Sequence, residues 1–272
     1  MFRGWKIFGC MRGCGAANLI IMLYLNIIYI LWLRQLKRYA RSRPRLISSF
    51  AQPLLFLVAL GFGFGPIYAR AGGGDYMQFL APGIITMSML FTAMFSGIEM
   101  IWDKQFGFLK ETLVAPVPRI IVMLGRTLGG ATVAMLQGLA IFLVTLLVGF
   151  HPHVGPLLVF APLIMFLICM LFTALGTAIA SRLDDMNAFP LVMNLLIMPL
   201  FFLSGALFPV DQLPKALAVV VRLNPVSYGV DGMRMALIHT SHFGLTLDIA
   251  LLTVAASLCI ALGAFLFNGI EA

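Results

Sequence analysis

The feature that most constrains this chain is a series of long stretches without a charged residue. Leu46–Ala69, Tyr76–Ile98, Met186–Val210 and Ile249–Ile270 each run for 22 to 25 residues without Asp, Glu, Lys or Arg. About 20 apolar residues in an α-helix cross the hydrocarbon layer of a bilayer. Because backbone polar groups find no water in that layer, spanning segments must satisfy them internally, as helices do. Each of these stretches therefore predicts a transmembrane helix.

A fifth stretch, Thr127–Ser181, has 55 residues without a charge and is too long for one span. Gly149–Pro156 interrupts it with the Gly, Pro and His composition of a turn, which divides it into two helices. The prediction is an all-α, polytopic membrane protein with a six-span domain over residues 46–272. The approximate spans are 46–67, 77–100, 123–148, 157–181, 187–208 and 248–269.

Composition supports the membrane class and excludes others. The 272 residues are 61% hydrophobic and 10% charged, whereas soluble domains average about 45–50% apolar and about 25% charged residues. A soluble globular domain, a disordered chain and a nucleic-acid-binding domain are excluded, although the net charge is +8. In a membrane protein such an excess of Lys and Arg marks cytoplasmic segments that face anionic lipid.

The N-terminal region contains a seventh apolar stretch, Gly13–Leu33, followed at once by a basic tract. The tract favours an amphipathic helix on the membrane surface over about Tyr24–Arg41, with residues 24–45 forming an interfacial helix and basic tract. Residues 1–23 are expected to be a leader, and Met11 and Met22 are alternative starts. A signal peptide is disfavoured because no small-residue cleavage site follows the apolar run. A true span over 13–33 stays open.

Orientation follows from the basic residues. With the tract inside and six spans after it, 14 Lys and Arg lie on the cytoplasmic side and 4 outside. The basic N-terminal region and the C-terminus are therefore predicted to be cytoplasmic.

Two connections carry most of the remaining polar residues. The predicted cytoplasmic loop between spans two and three combines Phe106, Gly107 and Lys110-Glu111 with a stop at Pro116 and Pro118. An amphipathic helix there, without a core of its own, suggests a docking surface for a partner. The outer region between spans five and six contains an apolar face over Asp211–Arg222, which is expected to be an outer or re-entrant helical segment.

A new helix is expected after this segment. Asn224 or Ser227 would cap it. Tyr228, Asp231 and Arg234 would share one face, where Asp231 and Arg234 are spaced to form an i,i+3 pair.

Three segments resemble the membrane subunits of type-2 ATP-binding-cassette exporters, including the daunorubicin-resistance and nodulation-factor groups. The basic run Leu33–Arg38 leading to Ala51–Leu54 looks like that family's interfacial entry helix and first span. Phe106–Glu111 with Ala115–Arg119 looks like its coupling loop. Leu203–Pro209, together with Asn224–Arg234, looks like its C-terminal signature.

The resemblance implies a permease that works as a dimer, with a second copy or a homologue, and binds a separate ATP-binding cassette subunit. ATP and Mg would be bound by that subunit, with no cofactor in this chain. The implied ATPase-docking residues are Gln105, Phe106, Gly107, Phe108, Leu109, Lys110, Glu111, Pro116 and Arg119. The interfacial helix would contribute Arg34, Lys37, Arg38 and Arg41. The outer gate would contain Ser204, Gly205, Pro209, Asn224, Pro225, Tyr228, Asp231 and Arg234.

The residues themselves support a separate motor. A P-loop needs Gly-Lys followed by Ser or Thr, and none of the chain's five lysines follows a glycine. The expected function is outward movement of an amphipathic, drug-like or lipid- or glycan-like substrate across the cytoplasmic (inner) membrane. An ion-gradient-coupled carrier is the main alternative, disfavoured because the mid-span regions lack ionisable groups.

A membrane-embedded enzyme is a second alternative. It would use Asp184-Asp185, His151-x-His153 or His239-x2-His242, yet these groups fall on opposite sides of the predicted membrane. Neither these histidines nor Cys10 and Cys14 are expected to hold a metal.

Overall fold

The computed structural model describes residues 16–70, 75–107, 117–209 and 214–268, and these residues are helical apart from turns and short connections. The α-helices in chain order are α1 (Ala16–Arg41), α2 (Arg43–Arg70), α3 (Tyr76–Phe95), α4 (Ile98–Gln105), α5 (Arg119–Val148), α6 (Ala161–Arg182), α7 (Ala188–Phe202), α8 (Lys215–Leu223), α9 (Pro225–Ile238) and α10 (Leu245–Asn268). A 3-10 turn, Pro156–Phe160, precedes α6. The all-α prediction is confirmed for this part of the chain.

Five helical segments are long and apolar enough to cross a membrane. They are Ser49–Tyr68, Tyr76–Gln105, Arg119–Val148, Pro156–Arg182 and Leu245–Leu266. They coincide with the predicted spans one to four and six. The predicted fifth span, 187–208, corresponds to α7, which has only 15 residues. At 1.5 Å per residue α7 reaches about 22 Å, less than the ~30 Å hydrocarbon layer, and the six-span count stays a prediction.

The early end of α7 has a local cause. Leu203 and Ser204 donate backbone hydrogen bonds to Pro199 and Phe201, which closes the last turn. Gly205 then adopts a φ of 75°, a conformation that glycine reaches without the Cβ clash of other residues. The chain therefore leaves the helix well before the charge-free stretch ends at Val210.

The centre of the bundle is formed by α3, α5 and α6, which pack against one another. Most of α3 is buried, whereas α2 and α10 keep large apolar side chains exposed, among them Leu55, Phe62, Leu258 and Phe265. Such faces suit contact with lipid or with another protein subunit.

The first helix lies along α5. A Cβ atom added at Gly125 would lie 3.0 Å from Leu31, and one added at Gly129 would lie 2.6 Å from Gln35. The pair Gly125-x3-Gly129 therefore allows a close helix approach, with α1 as the neighbour. The described part of α1 already includes Ala16, eight residues before the predicted start at Tyr24, and its place at a membrane surface stays a prediction.

Local signals set the ends of the helices around the connections that were predicted to lie outside. Gly149, with a φ of 110°, ends α5 as the turn composition predicted. The Asn224 side chain accepts a hydrogen bond from the Val226 backbone N–H and caps α9, which confirms one of the two predicted caps.

Candidate functional site

A cluster of buried and half-buried charges lies where α1, α4 and the start of α5 meet. This charge cluster consists of Arg34, Arg38, Glu99, Asp103 and Arg126. Asp103 is its centre, because its carboxylate accepts hydrogen bonds from Arg34, from Arg38 at 3.3 Å and from Arg126 at 2.6 Å. Arg38 also reaches Glu99 at 3.4 Å. The three helices are thereby joined through one carboxylate.

Helical spacing explains how the sequence builds this cluster. Glu99 and Asp103 are four residues apart on α4, and Arg34 and Arg38 are four residues apart on α1, so each pair lies on one face. Glu99, Asp103 and Arg126 are no more than 4% exposed. Charges buried to this extent require opposite charges and hydrogen bonds, and the cluster supplies both.

The same end of the bundle is tied to the connection between α6 and α7. Lys104 donates a 2.6 Å hydrogen bond to the Ser181 carbonyl and contacts the Asp184 carboxylate at 3.1 Å. The side chain of Gln105 donates to the Asp184 backbone carbonyl at 3.0 Å. Gln105, which is one of the predicted ATPase-docking residues, thus also links α4 to the end of α6.

The predicted coupling loop, residues 105–119, begins directly after these contacts. Phe106 is 70% exposed, and Gly107 has a φ of 77°, which favours glycine. Arg119 is the first residue of α5. Phe108, Leu109, Lys110, Glu111 and Pro116 lie outside the described residues.

The residues predicted for the interfacial helix divide into two groups. Arg34 and Arg38 join the charge cluster, whereas Lys37 and Arg41 are exposed. These four basic residues, together with Ile30 and Leu33, line an open cavity with a volume of about 530 Å³.

At the opposite end, Arg234 and Asp231 on α9 join separate networks. One Arg234 nitrogen donates to the Gly205 and Ala206 carbonyls at 2.9 and 3.0 Å, and its guanidinium lies 3.8 Å from the centre of the Phe79 ring. Burial lowers the pKa of Arg234 to about 10, so it stays cationic at neutral pH. A cation over an aromatic face is attracted by the ring's negative charge density.

The Asp231 carboxylate faces the α9–α10 connection instead. It accepts hydrogen bonds from the backbone N–H groups of His242 and Phe243 at 2.8 Å each, and from the Ser241 hydroxyl at 2.9 Å. No ion pair joins Asp231 to Arg234 among the described contacts, so the predicted i,i+3 pair is wrong. Nearer partners on other segments occupy both side chains.

The other predicted outer-gate residues have structural contacts. Ser204 donates to the Phe201 carbonyl, Tyr228 donates to the Arg222 carbonyl, and the Asn224 amide donates to the Leu200 carbonyl. Pro225 is the first residue of α9. Pro209, Ser204, Asp231 and Arg234 line a cavity of about 370 Å³, here called the outer cavity after the predicted outer gate.

A second cavity lies between the start of α2 and the second half of α3. It has a volume of about 250 Å³ and is lined by Phe91 and Phe95 together with the polar side chains of Gln52, Ser88 and Thr92. Tyr39 of α1 and Ser49 of α2 also line it, and both donate hydrogen bonds to Gln137 of α5, at 2.9 and 3.2 Å. Aromatic faces beside amide and hydroxyl groups can bind a molecule that has both apolar and polar parts.

Sequence reasoning missed Asp103, which is the centre of the charge cluster. The available signal was its four-residue spacing from Glu99 at the end of a predicted span, opposite a basic tract. Within the described ranges no group of three or more His, Cys, Asp or Glu residues is arranged to hold a metal ion.

Comparisons with known proteins agree with these features. The family model described as ABC-2 type transporter matches residues 26–238. Nodulation protein J of Rhizobium leguminosarum bv. trifolii is 32% identical over 191 residues, which cover 70% of this chain and 72% of that protein. The putative transport permease ycf38 of Porphyra purpurea is 32% identical over 201 residues, covering 71% and 68%. Nodulation protein J of Rhizobium meliloti (strain 1021) is 28% identical over 232 residues, covering 85% of each chain.

Proposed function

Because the chain belongs to the ABC-2 type transporter family, we propose that it is the permease subunit of an ATP-driven exporter. The chain is a transport subunit and not an enzyme. It moves its substrate outward across the cytoplasmic (inner) membrane, and a separate ATP-binding subunit, which binds ATP and Mg, supplies the energy. A second copy or a homologue completes the translocation path.

The observation that carries this proposal is the charge cluster beside the coupling loop. Asp103 joins α1, α4 and α5 through three arginines, and Lys104 and Gln105 connect the same helix to the end of α6. We therefore expect a displacement at the coupling loop to reach α1, α5 and the α6–α7 connection through α4. Networks of packed side chains and ion pairs carry energetic coupling between distant sites.

The substrate class is an amphipathic molecule, drug-like or lipid- or glycan-like. The cavity between α2 and α3 supports it, because Phe91 and Phe95 offer ring surfaces while Gln52 and Thr92 offer hydrogen-bonding groups.

Co-purification tests the proposal directly. The tagged chain is isolated from its native membrane in mild detergent and compared with Gly107→Arg and Asp103→Asn variants. We expect an ATP-binding protein to co-purify with the parent and with Asp103→Asn. It should be lost from Gly107→Arg, which places a large cation beside the exposed Phe106. In Asp103→Asn the ATPase is retained, but its activity no longer responds to substrate. The proposal is contradicted if no ATP-binding protein is recovered with the parent or with either variant.

The proposed orientation puts the charge cluster and the basic N-terminal region in the cytoplasm and the α9–α10 connection outside. Thr240 and Asp184 are exposed and serve as labelling positions when each is replaced by cysteine in a chain whose four native cysteines are replaced by alanine. A thiol reagent that does not cross membranes should label Thr240→Cys in intact cells and Asp184→Cys only after permeabilisation. The reverse pattern contradicts the orientation.

One observation favours ion-gradient coupling as a second candidate. Asp248 at the start of α10 is fully buried, and neither carboxyl oxygen has a hydrogen-bond partner among the described residues. Buried acids of this kind occur in proton pathways. If the chain is a proton-coupled carrier, substrate movement in vesicles stops when the proton gradient is dissipated and is insensitive to loss of ATP. Asp248→Asn would then abolish the movement.

A further inference from the structure

Two histidines that are far apart in the sequence lie side by side at the end of the bundle that carries the outer cavity. His153 belongs to the connection between α5 and α6, and His239 is the residue that ends α9. Their ring centroids are 5.4 Å apart and the ring planes are inclined by 36°. Both side chains are exposed and accessible to a dissolved ion. Neither is used by the charge cluster or by the contacts of Asp231 and Arg234.

The separation of the rings matches the geometry of two imidazoles bound to one ion. A Zn–N bond is about 2.0–2.1 Å long and the ring centroid lies about 1.1 Å beyond the nitrogen, so each centroid is about 3.2 Å from the metal. At the tetrahedral angle the two centroids are then about 5.2 Å apart. The observed centroid separation of 5.4 Å is therefore close to the separation that two imidazoles on one ion require, so rotation of the side chains can bring a nitrogen of each ring onto that ion.

The backbone holds both residues in place before any ion binds. The His153 backbone N–H donates a 2.8 Å hydrogen bond to the Leu237 carbonyl, which ties its loop to the last turn of α9. His239 has a φ of 59°, which fixes the direction in which its side chain leaves the helix end. Its ring lies against the Gly155 backbone, where an added Cβ would be 3.0 Å from Cε1 and 3.2 Å from Nε2.

We propose that His153 and His239 form a binding site for a divalent transition-metal ion, with Zn²⁺ as the ion of choice. Imidazole nitrogen is a preferred ligand of zinc. Two protein ligands leave the other coordination positions to water, so the site is an open one. An ion bound there clamps the α5–α6 connection to the end of α9, the helix that carries Asp231 and Arg234.

This inference does not depend on the transport proposal, because metal binding is measured on the chain alone. The chain is purified with a tag that contains no histidine and is titrated with Zn²⁺ in a calorimeter. We expect one Zn²⁺ per chain. His153→Ala and His239→Asn should each weaken Zn²⁺ binding at least about tenfold. Loss of a group that only hydrogen-bonds to a metal ligand already lowers metal affinity by about tenfold or more, and here the ligand itself is removed. Asn is chosen at position 239 because it tolerates a positive φ.

Two further variants make the test specific. His151→Ala removes an exposed histidine of the same connection, whose Nδ1 lies 2.8 Å from the Gly149 carbonyl oxygen, and should leave Zn²⁺ affinity unchanged. Gly155→Ala should weaken binding, because the new methyl group meets the His239 ring. Thermal unfolding without metal confirms that each variant folds. Equal Zn²⁺ affinity in the parent and in the His153→Ala, His239→Asn double variant overturns the proposal. A loss in His151→Ala as large as that in His153→Ala also overturns it.

Discussion

Arg126 of α5 donates a 2.6 Å hydrogen bond to Asp103 of α4, and the two side chains are only 3% and 2% exposed. Arg34 contacts the same carboxylate oxygen from α1. This oxygen is therefore shared by two cations on different helices, while Arg38 contacts the other oxygen. Removal of one member leaves a buried charge without compensation, and this usually costs more than the ion pair itself contributes.

We expect Asp103→Ala to lower the free energy of unfolding by about 3–5 kcal/mol, because Arg126 stays buried without its carboxylate. Thermal unfolding in detergent measures the change. The matched control is Asp184→Ala, whose side chain is 89% exposed in its ion pair with Lys104, and which should cost no more than about 1 kcal/mol. Equal losses in the two variants would contradict the central place of Asp103.

A second prediction concerns the contact between α6 and the junction of α3 with α4. A Cβ atom at Gly176 would lie 2.4 Å from the Met94 carbonyl oxygen, and one at Gly97 would lie 2.4 Å from the Gly176 carbonyl oxygen. Gly176→Ala should therefore separate the helices and cost about 1–3 kcal/mol in unfolding free energy. Gly63→Ala on α2 is the control, since nothing lies within 4 Å of its added Cβ. A stable Gly176→Ala chain would show that this approach is looser than the structure indicates.

The long charge-free stretches predicted α2, α3, α5, α6 and α10 because a spanning helix needs a minimum apolar length, which can be counted along the chain. The caps at Gly149 and Asn224 were predictable for a similar reason, since each depends on the conformation or hydrogen bonding of one residue. Length alone did not indicate where α7 ends. That end depends on the backbone at Leu203–Gly205, inside an uninterrupted apolar run.

The candidate sites were less predictable because they join segments that are distant in sequence. Asp103 receives Arg34 and Arg126 only after three helices have packed together. The proposed pairing of Asp231 with Arg234 considered one helix by itself, whereas Ser241–Phe243 and Gly205-Ala206 compete for the two side chains. A local spacing rule is overridden when a buried charge finds several backbone partners at once.

A third prediction tests how α1 is held against α5. A side chain at Gly129 would overlap Gln35, with the first added carbon 2.6 Å from Cγ, so Gly129→Leu should push α1 away. The expected cost of about 1–3 kcal/mol corresponds to a 5–150-fold rise in the fraction of chains in which α1 has separated from α5. The rate at which a thiol reagent labels Leu31→Cys, in a background with Cys10, Cys14, Cys169 and Cys259 replaced by Ala, measures that opening. Gly65→Leu should leave the rate unchanged, because nothing lies within 4 Å of Gly65. Equal labelling rates in the Gly129→Leu and Gly65→Leu chains would contradict the close packing of α1 against α5.

The last prediction concerns Arg234, whose guanidinium combines two carbonyl contacts with stacking on Phe79. Arg234→Lys keeps the charge but replaces a planar group by a point-like ammonium, which cannot stack on the ring while it reaches both carbonyls. We expect a loss of about 1–3 kcal/mol in unfolding free energy, the usual penalty for buried polar groups left without partners. Arg222→Lys is the matched control, because Arg222 is exposed and only its backbone carbonyl accepts a hydrogen bond from Tyr228. If Arg234→Lys unfolds at the same temperature as Arg222→Lys, charge alone holds the turn at Gly205, and the planar shape of the guanidinium contributes nothing to it.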